Sequence, residues 1–463
     1  MIYIPEDNIQ IKKWKKGPAR CFFTGRMRPY LLDEEEYALI KRCDGKTQIE
    51  KSAATDRLEV MGIIRRCLKE TDCSGKNPIT EYPNYYIMNL DWTITDRCNC
   101  NCLHCFHAAD NEIRRNEFSL EDAYKLLDEA KSCGIMNIRL TGGEPMLHPH
   151  ISKIVEGIHN RGMKLSVFLT NGTLLTREFL ALIKEYNPDA WITISFDGIG
   201  YHDWLRQRKG CEEEAVRAVG LCREAGLKVY INSNVNRRNQ HVMFDSFQML
   251  SDLGIDKLRI IRTSEAPRWV LNKQDYMLSL EEYYDFSMSF AKQYKDSGAS
   301  IPVIIWQSLF LDGSRKVFSC LPVKSGKGCP NDNYLCSAMM VKLSVQADGE
   351  MVPCAPLGGL YAHQGIHLGN IHEKSLQELL TEGPLIDVIT STVSDKLKRN
   401  KTCAECPHVK NCQGGCPALA LANFGSMYEP DTSKCVYFNQ NYYEKHCEAM
   451  TGWKNLQPYA EPF

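Results

Sequence analysis

An α/β fold, with helices covering a parallel sheet, is what the middle of this chain predicts, and three observations carry that expectation. Six short apolar runs of strand character recur between residues 87 and 263. Each is followed by a segment with helical apolar spacing. The polar stretches "TDRCNC", "TGGEP", "TNG" and "SFDG" all stand at the carboxyl ends of these runs. Strand and helix alternating in this order imply either an open wound sheet or a partial β/α barrel. In both geometries, chemistry belongs at the carboxyl ends of the strands.

The elements follow in order. "IMNLDWTIT" (87–95) alternates like a strand, and "SLEDAYKLLDEAKSCG" (119–134) is a helix with Ser119 and Asp122 placed as a capping box and Gly134 as its stop. "NIRLTGG" (137–143) is the second strand, and "HISKIVEGIHNRG" a helix ending at Gly162. "LSVFLTNG" (165–172), "WITISFDG" (191–198), "KVYINSNV" (228–235) and "KLRIIRT" (257–263) complete the six. "SGKNPITEYPN" (74–84) has the composition of a linker, and a second boundary falls within 312–335. The expected organisation is therefore 1–85, 86–315, 316–450 and a tail at 451–463.

Length and charge bound the function. The 463 residues suffice for two or three domains. A formal net charge of −1 provides no field that would select nucleic acid or an anionic membrane. The opening "MIYIPEDNIQIKKWKK" lacks an apolar export core, and no run approaches a membrane span. A cytoplasmic protein without nucleic-acid or membrane partners is expected. Against this ordinary background stand 21 cysteines. In a reducing compartment, clustered short spacings point to metal or iron–sulfur ligation rather than to disulfides.

Cys21, Cys43, Cys67 and Cys73 show no ligand spacing, and Cys133, Cys211 and Cys222 read as packed or surface thiols. The sequence "CNCNCLHC" (98–105) is different. Cys98, Cys102 and Cys105 have the spacing C-x3-C-x2-C just after a strand. Three thiolates suit a [4Fe–4S] cluster with one iron left open. Zinc is the alternative, drawing a fourth donor from Cys100, His104 or His107.

"CNCNCLHC" resembles the signature of the radical S-adenosylmethionine (SAM) superfamily, in which SAM chelates the open iron. That resemblance implies a partial (β/α)6 barrel. It makes "GGEP" the SAM-amino motif, with Gly142, Gly143 and Glu144 as SAM contacts. Asn171 of "TNG", Ser195 and Asp197 of "SFDG", and Arg206 of "HDWLRQR" would add polar contacts to SAM. Cys100 is then a spare thiol. His104 stands where the family often has an aromatic residue that packs on adenine.

From Cys320 onward the cysteines fall into a second pattern, Cys336-x12-Gly349-x4-Cys354, then Cys403-x2-Cys406-x5-Cys412-x3-Cys416, then Cys435. A double zinc ribbon on the 403/406 and 412/416 pairs is one reading. The pattern also resembles, residue for residue, the SPASM extension of radical SAM enzymes. The resemblance implies two auxiliary [4Fe–4S] clusters, hence three in all. Cys329, Cys336, Cys354 and Cys416 would hold the first, with Cys320 the competitor for Cys329. Cys403, Cys406, Cys412 and Cys435 would hold the second, and Cys447 neither.

"MRPYLLDEEEYALIKRCDGKTQIEKSA" (27–53) reads as a strand, a helix from about Asp33 to Cys43, a turn at "DGK" and another helix. It resembles the winged-helix-like, PqqD-like element of ribosomal-peptide maturation enzymes, which adds a leader peptide as an extra strand. A DNA-binding winged helix is opposed by the acidic "DEEEY" (33–37). Together the resemblances imply a radical SAM/SPASM peptide maturase. Its implied partners are a precursor peptide and a flavodoxin- or ferredoxin-like electron donor. The implied chemistry is reductive cleavage of SAM to a 5′-deoxyadenosyl radical, hydrogen abstraction from the peptide, and an intramolecular thioether or carbon–carbon crosslink. Peptide epimerisation is the alternative, and a zinc-binding regulatory protein the alternative of another class. In sulfatase-maturing relatives an aspartate follows the cysteine of the "PC" step; Ala355 stands there in this chain, against formylglycine formation.

Overall fold

The six runs form six consecutive parallel strands in a computed structural model that describes residues 1–24, 29–68, 78–105, 116–263, 268, 275–324 and 333–456. A small N-terminal unit precedes them, built from strands β1 (Ile2–Pro5), β2 (Ile9–Lys13), β3 (Ala19–Phe23), β4 (Tyr30–Leu32), β5 (Ile64–Cys67) and β6 (Ile79–Glu81). Strands β7 (Asn89–Thr93), β8 (Asn137–Thr141), β9 (Lys164–Thr170), β10 (Trp191–Ser195), β11 (Lys228–Val235) and β12 (Lys257–Arg262) then hydrogen-bond in chain order. Alternation explains their place. In β11, Val229, Ile231, Ser233 and Val235 are buried in the sheet–helix layer, while Tyr230, Asn232 and Asn234 are only half-buried.

The sheet outgrows the six. β13 (Val303–Ile305) adds in parallel to β12, followed by the antiparallel β14 (Leu309–Asp312) and β15 (Val317–Cys320). At the other edge β16 (Lys342–Val345) lies parallel to β7, with β17 (Met351–Val352) antiparallel outside it. β18 (Lys454–Asn455), from the expected tail, pairs with β15. Residues C-terminal to the barrel therefore complete both edges of one twelve-stranded sheet. A shared apolar core runs from Tyr85 to Met450.

Helices α1 (Glu34–Ile40) and α2 (Ala53–Val60) belong to the N-terminal unit, which has its own core of Tyr3, Ile11, Cys21, Leu58 and their neighbours. Asp33 and Glu36 close a full capping box on α1, and the Asp44 carboxylate accepts from the Lys46 and Thr47 amides in the "DGK" turn. The predicted linker contains β6, which pairs in parallel with β2; residues 74–77 of it lie outside the described residues. Strand propensity there was masked by Pro and Asn on either side. Strand β4 lies at the edge of this sheet, in the order β4-β3-β2-β6. Trp14 joins the unit to the barrel, donating to the Cys133 carbonyl at 3.0 Å and stacking on Tyr82.

The barrel helices are α3 (Leu120–Ser132), α4 (Ile151–Asn160), α5 (Arg177–Tyr186), α6 (His202–Arg206), α7 (Cys211–Glu224) and α8 (Met243–Asp252). At α3 the Ser119 hydroxyl caps the Asp122 amide at 3.0 Å. The shorter Asp122 carboxylate takes the Ser119 hydroxyl proton instead of reaching back to the backbone amide, so the expected capping box is half formed.

Candidate functional site

The carboxyl ends of β7 to β10 meet, and backbone hydrogen bonds bind their loops into one body. Gly143 donates to the Thr95 carbonyl and Glu144 to the Arg97 carbonyl, both at 2.7 Å. A Cβ on Gly143 would fall on the Arg97 backbone, and one on Gly142 would sit 2.9 Å from the Thr95 oxygen. Glycine is required at Gly143 because the Asp96–Arg97 backbone leading into "CNCNCLHC" crosses there. From the other side, the Arg206 and Leu205 carbonyls of α6 accept from the Asn101 and Leu103 amides. The thiol loop is thus held between "GGEP" and "HDWLRQR".

Glu144 is fully buried. Its carboxylate accepts from the Thr170 hydroxyl at 2.8 Å, the Asn171 amide at 2.7 Å and the Met146 amide at 3.1 Å. Burial pushes this carboxyl up to about 7, and the three donors pull against that rise. Asn171 turns its side chain to the thiol loop, donating to Asn99 at 2.8 Å and to the Cys100 sulfur at 3.5 Å. Ser195 ends β10, level with Asn232 of β11.

Asp197 is also fully buried, and its partners are protein groups. Arg206 Nε donates to it at 2.7 Å, and the Asn234 amide at 2.8 Å. His202 Nδ1 lies 3.2 Å from the same carboxylate. Burial alone would raise this carboxyl; Arg206 and His202 hold it well below the usual range. Arg206 reaches onward, its Nη1 donating to the Cys102 sulfur at 3.7 Å. Asp197 therefore orients an arginine that faces the Cys102 thiol.

Cys98, Cys100 and Cys102 are buried and Cys105 half-buried in one thiol cluster. Cys211, which the sequence placed among packed thiols, joins them: its sulfur is 3.8 Å from that of Cys100. It is the first residue of α7, after Gly210, a position where a helix favours thiolate. That position was the one available signal for it. A hydrogen bond from Cys100 holds the Cys102 thiol down to about 6, with Arg206 adding to the effect. His104 is buried, with Nδ1 lacking a hydrogen-bond partner, and burial keeps its imidazole neutral, down to about 3. His107 lies outside the described residues. Three soft donors on one loop, an arginine against one of them and a glycine cradle beside them fit a three-thiolate iron–sulfur cluster.

The C-terminal thiols separate into two groups. Burial first, then the neighbouring Cys416 and Cys336, pushes the Cys354 thiol up to about 12. Cys435 is likewise pushed up to about 11 by burial, with Cys412, Cys403 and Cys406 in electrostatic reach. These are the two sets the sequence separated, apart from Cys329, which lies outside the described residues. Its competitor Cys320 is turned elsewhere, hydrogen-bonded to Cys447 and beside Tyr437.

Comparison with known proteins agrees with this geometry. Residues 92–237 match the radical SAM superfamily, and residues 336–407 match SPASM, described as an iron–sulfur cluster-binding domain. The chain is 26% identical over 362 residues to an AdoMet-dependent heme synthase of Methanosarcina barkeri, covering 75% of this chain and 96% of that protein. It is 24% identical over 345 residues to the antilisterial bacteriocin subtilosin biosynthesis protein AlbA of Bacillus subtilis, covering 74% and 69%. Among solved structures it is similar to Streptococcus suis SuiB bound to its precursor peptide SuiA. There the TM-score is 0.64 at 17% identity, over 94% of this chain and 100% of that one.

Proposed function

We infer that this chain, a radical SAM enzyme with a SPASM domain, is a peptide maturase that installs an intramolecular thioether or carbon–carbon crosslink in a ribosomally made precursor. One observation carries the reading. The similarity to SuiB spans 94% of the chain, too much to omit the N-terminal unit, and the structure of SuiB holds a precursor peptide. In this chain that unit offers β4 as a sheet edge, where a leader peptide would add as a strand.

When bound, the first cluster and SAM supply one-electron cleavage of the sulfonium and a 5′-deoxyadenosyl radical. Cys98, Cys102 and Cys105 would hold three irons of that cluster. Glu144 suits the methionyl ammonium, because a carboxylate with three donors keeps a lone pair for a cation. Arg206, kept charged and oriented by Asp197, suits the carboxylate. Gly142, Asn171 and Ser195 line the same strand ends. Cys336, Cys354 and Cys416, with Cys329, would hold the first auxiliary cluster, and Cys403, Cys406, Cys412 and Cys435 the second. A flavodoxin- or ferredoxin-like protein would supply the electron. Epimerisation, which needs a thiol hydrogen donor, would have to draw on Cys211, because Cys133 and Cys222 are packed into the apolar core.

A porphyrin substrate is the second reading, favoured by the heme synthase relative that spans three quarters of the chain. One anaerobic assay separates the two. The enzyme, SAM and dithionite are incubated with the precursor peptide encoded beside its gene, or with an iron porphyrin, and products are weighed by mass spectrometry. A peptide lighter by two hydrogen atoms is expected. An unchanged peptide beside a modified porphyrin would overturn the peptide reading.

A further inference from the structure

The Cys412–Cys416 loop carries one thiol of each C-terminal group, and three lysines close on it from separate segments. Lys396 is completely buried, and its ammonium donates to the Gly414 and Glu429 carbonyls, both at 2.6 Å. Lys324 donates to the Gly415 carbonyl at 3.1 Å, and its backbone amide to the Asn411 carbonyl at 2.8 Å. Lys434, 5% exposed and next to Cys435, donates to the Pro322 carbonyl at 2.6 Å. The loop accommodates this grip through three successive left-handed residues, Gln413 (φ 50°), Gly414 (φ 80°) and Gly415 (φ 77°). A Cβ on Gly414 would come within 2.7 Å of the Lys396 stem.

The charge at this place does not balance. The ammonium hydrogen bonds described here all end on backbone carbonyls. The nearby carboxylates are buried Asp431, engaged with the Cys416 amide at 2.8 Å and with Ser433, and half-buried Glu429, which accepts from Asn400 at 2.9 Å and lies in electrostatic reach of Cys403, so three cations face two anions. Burying an ammonium is costly unless an opposite charge shares the site. The thiols are placed to provide one. Lys324, Lys396 and Lys434 are all in electrostatic reach of Cys412, Lys396 also of Cys403, and Lys434 of Cys416.

We propose that Lys324, Lys396 and Lys434 form a cationic collar on the Cys412–Cys416 loop that neutralises the auxiliary clusters and raises their reduction potential. The inference rests on the reading that these thiols hold four-iron clusters. Adding an electron to a thiolate-ligated cluster adds negative charge, so a fixed cation nearby favours the reduced form. An auxiliary cluster so collared is fitted to accept the electron left over when a crosslink forms.

The test removes the first cluster, with Cys98→Ala, Cys102→Ala and Cys105→Ala together, so that only auxiliary signals remain. Iron content and EPR-monitored redox titrations are then compared for Lys324→Gln, Lys396→Gln, Lys434→Gln and the charge-keeping Lys324→Arg. Each glutamine variant is expected to show a reduced-to-oxidised ratio about tenfold lower at the parent midpoint potential, a fall of about 59 mV for a one-electron couple. Lys324→Arg should stay near the parent. Loss of iron from Lys396→Gln or Lys434→Gln with an unchanged circular-dichroism spectrum also supports the counter-charge role, and half-buried Lys324 then decides the potential. Full iron with unchanged midpoints in all three glutamine variants overturns the collar. Absence of iron from the three-alanine parent overturns the cluster reading instead.

Discussion

The thiol loop at 98–105 and the thiol loop at 403–416 share a chemistry and differ in the charges built around it. Around the first, buried groups of both signs stand together: Glu144, Asp197 and Arg206. Around the second, cations prevail, with Lys324, Lys396 and Lys434 against Asp431 and Glu429. A site flanked by carboxylate and guanidinium suits a zwitterionic ligand that arrives and leaves, such as the methionyl end of SAM. A site collared by ammonium groups suits a resident anion. On the proposed reading, the same residue type serves exchange in one place and permanent holding in the other.

The largest expected effects break the two regions apart. Cys98→Ala, Cys102→Ala or Cys105→Ala should abolish 5′-deoxyadenosine formation and lower iron from about twelve to about eight per chain. Cys403→Ala or Cys412→Ala should lose a similar amount of iron but retain SAM cleavage, with the loss appearing in peptide modification. Iron analysis together with chromatography of the nucleoside product reads both. Retained 5′-deoxyadenosine in a Cys98 variant would end the division of labour described here.

An intermediate effect concerns proton linkage at Glu144. Its carboxyl, raised by burial to about 7, is neutral below that pH and ionised above it. An ammonium ligand prefers the ionised form, so SAM binding is strongest above pH 7. Binding should weaken as pH falls through 7, approaching about tenfold per unit. The stability of the ligand-free protein runs the opposite way. The folded state keeps a proton that the unfolded chain releases near the ordinary carboxyl value of 4.5. Stability should therefore fall as pH rises from 4.5 to 7, by at most about 3 kcal/mol. Glu144→Gln should flatten both profiles. Calorimetric SAM titrations and denaturant melts at about pH 6 and about pH 8 check the two signs.

Features whose cause is local were legible in sequence. The helix beginning at Asp33 is fixed by neighbouring residues, and the six strands announce themselves by alternation. The grouping of the C-terminal thiols was legible in their spacing along the chain. Gly143 was legible as a point of close approach, but what approaches in the fold is the Arg97 backbone. What escaped depends on distant partners. Cys211 meets Cys100 across 111 residues, and Lys434 meets Pro322 across 112. No periodicity encodes such meetings. Strand β6 escaped for a related reason: its identity comes from β2 rather than from its own composition.

The smallest expected effect tests the crowding at the first loop. Cys100 lies between two ligand thiols in sequence, yet its sulfur meets Cys211 at 3.8 Å and Asn171 Nδ2 at 3.5 Å. A cluster ligand has to face its iron as thiolate, whereas hydrogen bonds with Cys102, Cys211 and Cys98, with burial adding to them, push the Cys100 proton on more firmly. Serine keeps one donor and the acceptor lone pairs at this position. Cys100→Ser should therefore retain full iron content and SAM cleavage within about twofold, far short of the 1.4 kcal/mol that a tenfold change represents. Cys211→Ser should behave in the same way, because each thiol mainly fills space and hydrogen-bonds beside the other. Loss of about four irons from Cys100→Ser alone would instead make Cys100 a ligand and shift the register of the whole loop. The contrast between an exchange site with an open iron and a closed C-terminal pair would then have to be drawn again.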